Sequence, residues 1–160
     1  MNRSEFKPFI ESHQKIIFRI CWAYSNSQEE YDDYFQEVCL QLWKARNNFN
    51  NRSQLSTWVY KVTLNVCLSE LRKRKRLVKT HPIESTDVID HQDDSQHEEA
   101  IKNLYQAIRK LKEGERAIIL LYLEDKSYKE MADILGISLS NIGVKINRIK
   151  STLKELMNGR

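Results

Sequence analysis

Apolar and polar positions alternate with a helical period along most of the chain. In residues 1–24, Phe6, Phe9, Ile10, Ile16, Ile17, Ile20 and Tyr24 keep approximately helical spacing. A second helix is predicted over "YDDYFQEVCLQLWKARNNF", residues 31–49, with Tyr34, Val38, Leu42 and Ala45 on one face. Another side of it gathers the acceptors Asp32, Asp33, Gln36 and Glu37. A third helix runs from Ser56 to Arg76, with Trp58 and Tyr60 in its first half and the run Arg72, Lys73, Arg74, Lys75, Arg76 at its end. Tyr60 and Lys61 are expected to face solvent. Trp58 stands at the helix start, where core and exposed platform are both open readings.

The C-terminal part gives the cleanest pattern. Over residues 98–111, Ile101, Leu104, Tyr105, Ile108 and Leu111 form an apolar stripe, and a short, strongly apolar helix follows over 114–126. Ser127 can cap the next helix, with Glu130 three residues on completing a capping box. Met131, Ile134 and Leu135 face its core side, and Gly136 ends it. Ser138 then caps a longer helix. A short helix, a glycine-containing turn and a longer helix form the helix-turn-helix pattern. At about 100° per residue, Ile142, Ile146, Ile149, Leu153 and Leu156 of that last helix share one narrow stripe. Ser140, Val144, Asn147, Arg148 and Ser151 lie opposite, Asn141 and Lys145 on one flank, Lys150 on the other. Hydrogen-bonding and small apolar groups flanked by cations suit base edges and phosphates, and Val144 is placed to meet a thymine methyl.

Between the halves, residues 79–99 contain Pro82 and lack sustained periodicity, so they read as a linker. The expected fold is therefore all-α: two small helical domains, 1–78 and 100–160, joined by 79–99. Four Gly and two Pro agree with a helical chain rather than a turn-rich β fold.

Charge sharpens this division. Residues 1–78 hold 13 basic and 8 acidic side chains, 79–99 hold 1 and 7, and 100–160 hold 12 and 7. Two basic units on an acidic connector suggest two contacts with a polyanion. Aromatics that stack on bases and cations that hold phosphates, both on the 56–76 helix, point to single-stranded or melting nucleic acid.

Other chemistry is poorly supplied. Three cysteines without CxxC spacing argue against a disulfide framework or a zinc knuckle and read as core thiols. The four histidines are scattered, so no metal or other cofactor is expected. Asp32 and Asp33 are adjacent and point in different directions, with no histidine beside them, which argues against an enzyme. An acidic face that docks a basic partner is the better use. No apolar run is long enough for a membrane helix. The first 18 residues lack a signal-peptide core, and a cytoplasmic location without membrane insertion is expected.

The order "DDYFQEVCLQLW", then "NNFNNRSQLST", then "WVYKVTLNVCLSELRKRKR" resembles region 2 of a bacterial RNA polymerase sigma factor. The helix-turn-helix is similar to sigma region 4, and the two-domain brevity resembles the extracytoplasmic-function (ECF) group. The resemblance covers nearly the whole chain except the linker. It implies a sigma region 2 helical bundle and a sigma region 4 helix-turn-helix domain. Its implied partners are core RNA polymerase (the β′ clamp helices and the β flap), promoter DNA and an anti-sigma factor.

The resemblance also implies roles. Asp33, Gln36 and Glu37, with Asp32 beside them, match the segment that docks on the polymerase. Asn48, Phe49, Asn50, Asn51, Arg52 and Ser53 fall in the loop that receives a flipped base of the −10 element. Trp58, Lys61, Asn65, Arg72 and Arg76 match the −10 recognition and melting helix, and the 72–76 run reads as a phosphate clamp. Ser140, Asn141, Val144, Lys145, Asn147 and Arg148 match the helix that reads the −35 element. Ser69 stands where many relatives have Asp, and Gly143 where many have Arg or Lys, which implies an altered −35 preference. Two rivals stay open: a stand-alone helix-turn-helix regulator binding operator DNA as a dimer, and a regulator that mimics a sigma factor to occupy polymerase.

Overall fold

The computed structural model describes residues 1–49, 54–78 and 96–158, leaving aside the side chains of 78, 96 and 97. It divides into two units, Met1–Ile89 and Asp90–Arg160. Among the described residues there are eight α-helices, one 3-10 turn and no strand.

The first unit holds α1 (Arg3–Ser12), α2 (Gln14–Tyr24), α3 (Gln28–Ala45), a 3-10 turn (Arg46–Asn48) and α4 (Leu55–Val78). The first 24 residues make two helices, because the chain leaves helical geometry at His13, φ −111° and ψ 11°. Side chains hold that break: the Phe9 carbonyl accepts from the Ser12 hydroxyl at 2.8 Å and lies 2.9 Å from His13 Nδ1. Asn2 and Glu5 close a complete capping box at the start of α1. Ser27 caps α3, its hydroxyl accepting from the Glu30 N–H at 3.2 Å.

α2, α3 and α4 pack on one another around Ile17, Ile20, Cys21, Tyr24, Tyr34, Val38, Leu42, Val59, Leu64 and Cys67, all buried. The expected inner face of α3 is therefore present, with Ala45 half-buried at its end. Cys67 Sγ donates to Cys21 Sγ at 3.9 Å, both thiols sealed in the core, while Cys39 is only half-buried. Burial pushes the Cys67 thiol well above its ordinary range, and the contact with Cys21 adds to this. Burial likewise raises the Tyr34 hydroxyl, and lifts that of Tyr31 to about 12.

Tyr60 departs from expectation: it is 2% exposed, not solvent-facing. On a helical wheel it falls between Leu64 and Cys67, four and seven residues on, and so joins the inner face. α4 packs against both α2 and α3, which widens its buried band to cover that position. Lys61 sits half-buried at the edge of the same band.

The second unit holds α5 (Gln96–Arg109), α6 (Glu113–Leu123), α7 (Tyr128–Leu135) and α8 (Leu139–Met157). α5 starts inside the segment read as linker, with Glu98 and Glu99 in its first turn, where carboxylates suit the positive end of the helix dipole. Along its stripe Tyr105, Ile108 and Leu111 are buried, whereas Ile101 is exposed. α8 contacts all three other helices through Ile142, Ile146, Ile149 and Leu153. Leu156, one turn later, is half-buried.

One buried cation was not anticipated from the sequence. Arg116, 8% exposed, donates from Nε to the Leu111 carbonyl at 3.1 Å and from Nη2 to the Arg109 carbonyl at 2.6 Å. From within α6 it donates to the carbonyl of Arg109, the last residue of α5, and to that of Leu111 in the turn that follows, and so fastens the end of α5. Arg109 is held below the usual arginine range by burial and then by repulsion from Arg116.

Candidate functional site

Three outward faces carry the residues singled out in the sequence. The first is on α3, opposite its buried stripe. Asp32, Asp33 and Gln36 are exposed and Glu37 is half-buried. Asp32 with Gln36, and Asp33 with Glu37, form two i,i+4 rows. Neighbours hold three of the four: Gln28 Nε2 donates to Asp32 at 3.0 Å, Gln41 Nε2 to Glu37 at 2.7 Å, and Arg74 Nη2 to Asp33 at 2.9 Å. Leu40, an exposed large apolar side chain, continues the Asp32–Gln36 row on the next turn. The sequence reading passed over it, because an isolated leucine in an amphipathic pattern looks like core.

The second face is on α4. At about 100° per residue, Trp58, Lys61, Asn65, Arg72 and Arg76 fall within about 60° of one another. Asn65, Arg72 and Arg76 are exposed, so the five residues line one strip that climbs about 27 Å along the helix. Trp58 turns out to be half-buried, its ring 6.0 Å from Phe9 and 5.4 Å from Phe49. It therefore belongs to an aromatic cluster at the head of the strip. Asn48 is exposed at the end of the 3-10 turn, while Asn50, Asn51, Arg52 and Ser53 lie outside the described residues.

The basic run at the end of α4 is not uniform. Lys73 lies 3.4 Å from Glu70, and Arg74 turns back towards α3. Besides Asp33, Arg74 approaches Glu30 at 3.9 Å and sits over the Tyr34 ring at 5.2 Å. Within the run read as a phosphate clamp, Arg74 differs from its neighbours, because it falls on the side of α4 that packs against α3.

The third face is on α8. Ser127 caps α7 by accepting from the Glu130 N–H at 3.1 Å, and Gly136 ends α7 with φ +68°, a conformation that glycine adopts without strain. The Ser138 hydroxyl then caps α8, accepting from the Asn141 N–H at 3.3 Å. Ser140, Asn141, Val144, Lys145, Asn147 and Arg148 are all exposed, Val144 at 60%. Lys150 on the flank lies over the Tyr122 ring at 4.2 Å. Ser151 donates to the Asn147 carbonyl at 3.2 Å. The face therefore offers amides, hydroxyls, one aliphatic group and cations, and α8 has no acidic side chain before Glu155.

Residues 9–77 match the family model for sigma-70 region 2, and residues 101–153 match the one for sigma-70 region 4. This chain belongs to the sigma-70 family. The two matches follow the family's order and fall one in each structural unit. Among similar proteins is the ECF RNA polymerase sigma factor SigG of Mycobacterium tuberculosis, 26% identical over 180 residues, covering 95% of this chain and 48% of that protein. This chain thus spans about half the length of SigG. SigW of Bacillus subtilis, another ECF sigma factor, is 22% identical over 167 residues, covering 96% of this chain and 89% of that one. Two solved structures share the fold. One is the sigma factor RpoE in complex with the anti-sigma factor NepR from Bartonella quintana, TM-score 0.79 at 23% identity over 96% of this chain and 97% of that one. The other is CnrH in complex with the cytosolic domain of CnrY, TM-score 0.70 at 20% identity over 99% and 90%. No helix among the described residues is long and apolar enough to cross a membrane.

Proposed function

We propose that this sigma-70 family chain is an ECF-type sigma factor: a dissociable cytoplasmic subunit that gives core RNA polymerase its promoter specificity and leaves catalysis to the polymerase. The observation that carries this reading is the matched pair of regions, each with its polar face turned outwards. On α8 the outward residues Ser140, Asn141, Val144, Lys145, Asn147 and Arg148 read the −35 element as duplex, with side chains to base edges and cations to phosphates. On α4 the strip of Lys61, Asn65, Arg72 and Arg76 follows one strand of the −10 element, headed by Trp58. Asn48, with Asn50, Asn51, Arg52 and Ser53, captures an extruded base. Such capture offsets an unstacking cost of a few kcal/mol.

The acidic rows of α3 dock on a basic surface of the polymerase, assigned by family likeness to the β′ clamp helices, with Leu40 as an apolar contact among Asp32, Asp33, Gln36 and Glu37. The region 4 unit meets the β flap. An anti-sigma partner is part of the proposal, since both structural neighbours are complexes with one or with the domain named beside them.

The test is transcription. The purified chain is mixed with bacterial core polymerase and promoter-length duplexes from its own genome, and transcript start sites are sequenced. Specific initiation, lost when Asp33, Gln36 and Glu37 are replaced together, is the expected result. An active core that never initiates overturns the reading. Tight core binding without initiation would mark a sigma mimic, and dimeric binding to free duplex a stand-alone regulator.

A further inference from the structure

The cation in the middle of the basic run has an environment unlike that of the −10 strip. Taking Lys61 as the origin, Asn65, Arg72 and Arg76 lie within about 60°, whereas Arg74 is turned by about 220°. Its side chain is 31% exposed, and its guanidinium bridges two carboxylates of α3, Asp33 at 2.9 Å and Glu30 at 3.9 Å, above the Tyr34 ring. Burial alone would lower its affinity for a proton, yet the hydrogen bond it donates to Asp33 and the nearby negative groups outweigh burial and raise it.

We propose that Arg74 is a positioning residue of the polymerase-docking surface and not one of the cations that hold promoter DNA. The inference rests on the docking reading of α3. Asp33 has a side chain 56% exposed, so its carboxylate can accept from a partner while Arg74 holds its Oδ2. Two carboxylates bridged by one guanidinium leave one negative charge, which suits a single cationic side chain, above all a second arginine, on the docking helix of the partner. Arg74 fixes where that charge stands. It also ties the end of the DNA-facing helix to the docking helix.

The test compares Arg74→Met, Arg74→Lys, Asp33→Asn and the double variant Asp33→Asn/Arg74→Met as full chains. Core polymerase affinity is measured by competition. Binding of saturated holoenzyme to a −10 fork-junction DNA is measured across a salt series. Arg74→Met should weaken core binding on the order of tenfold. Arg74→Lys should restore part of that affinity, and the double variant should be no weaker than Asp33→Asn. Fork-junction affinity and its salt slope should stay unchanged.

If Arg74 holds phosphate instead, Arg74→Met lowers the salt slope by about 0.7, the value for one single-strand contact, and the inference fails. It also fails if core binding is unaffected by Arg74→Met, or if the losses in the double variant simply add. A wild-type chain that does not bind core at all defeats the docking reading itself, a distinct outcome. Should Arg74→Met melt too early to assay, Arg74→Lys against Asp33→Asn carries the same comparison.

Discussion

Gly143 sits in the first half of α8, and a Cβ built on it would meet only Tyr128 Cε2, at 3.6 Å, an ordinary contact. The glycine is thus not required by space or backbone conformation, and Gly143→Ala should stabilise the region 4 unit by about 0.5–1 kcal/mol. Thermal unfolding checks this; a lower midpoint would refute it. Arg116 lies at the opposite extreme. Arg116→Met keeps much of its bulk but removes the donors to the Arg109 and Leu111 carbonyls, and should cost about 2–3 kcal/mol in denaturant titration of the same unit. The two residues also differ in legibility. Gly143 could be judged from propensity alone. Nothing in "GERAIILLYL" announces that its arginine turns inwards, because the carbonyls it donates to lie at the end of the preceding helix and in the turn after it.

At the scale of elements, the pattern of spacing located the helices well and their widths poorly. The narrow stripe on α8 was legible because the helix presents one side to its neighbours. α4 was harder: wedged between α2 and α3, it buries a band wide enough to include Tyr60, and it divides its basic end between two faces. Periodicity cannot tell which neighbour a flank will meet, so Arg74 and Arg76 look alike in the sequence. The three-helix core also sets a response to alkali. Tyr31, Tyr34, Cys39 and Cys67 hold their protons more tightly in the folded state than their ordinary values of 10.0 for tyrosine and 9.0 for cysteine. Their contribution to stability is therefore complete below pH 9 and is lost as pH rises through the raised values. The region 2 unit should keep its melting temperature from pH 7 to 9 and lose it progressively from pH 9 to 12; a midpoint rising over that upper range would contradict the assignment.

For the whole molecule, charge and hydropathy pointed to two basic units, and the boundary between the structural units, Ile89 to Asp90, falls inside the acidic stretch. What the sequence could not give is the internal competition for charge. A count of basic side chains treats each as available to a polyanion, whereas Arg116 is consumed by the fold, Lys150 by a ring and Arg74 by the carboxylates of α3.

The placement of α8 has one more consequence. It touches every other helix of its unit with one side and turns the other, the face proposed to read DNA, outwards through side chains that contribute little to the core. Exposed positions such as Ser140, Val144 and Asn147 can therefore be exchanged at little cost to folding, while Ile142, Ile146 and Ile149 stay put. A duplicated copy of such a gene could acquire a new set of target promoters by changing a few solvent-facing codons, without first passing through an unstable protein.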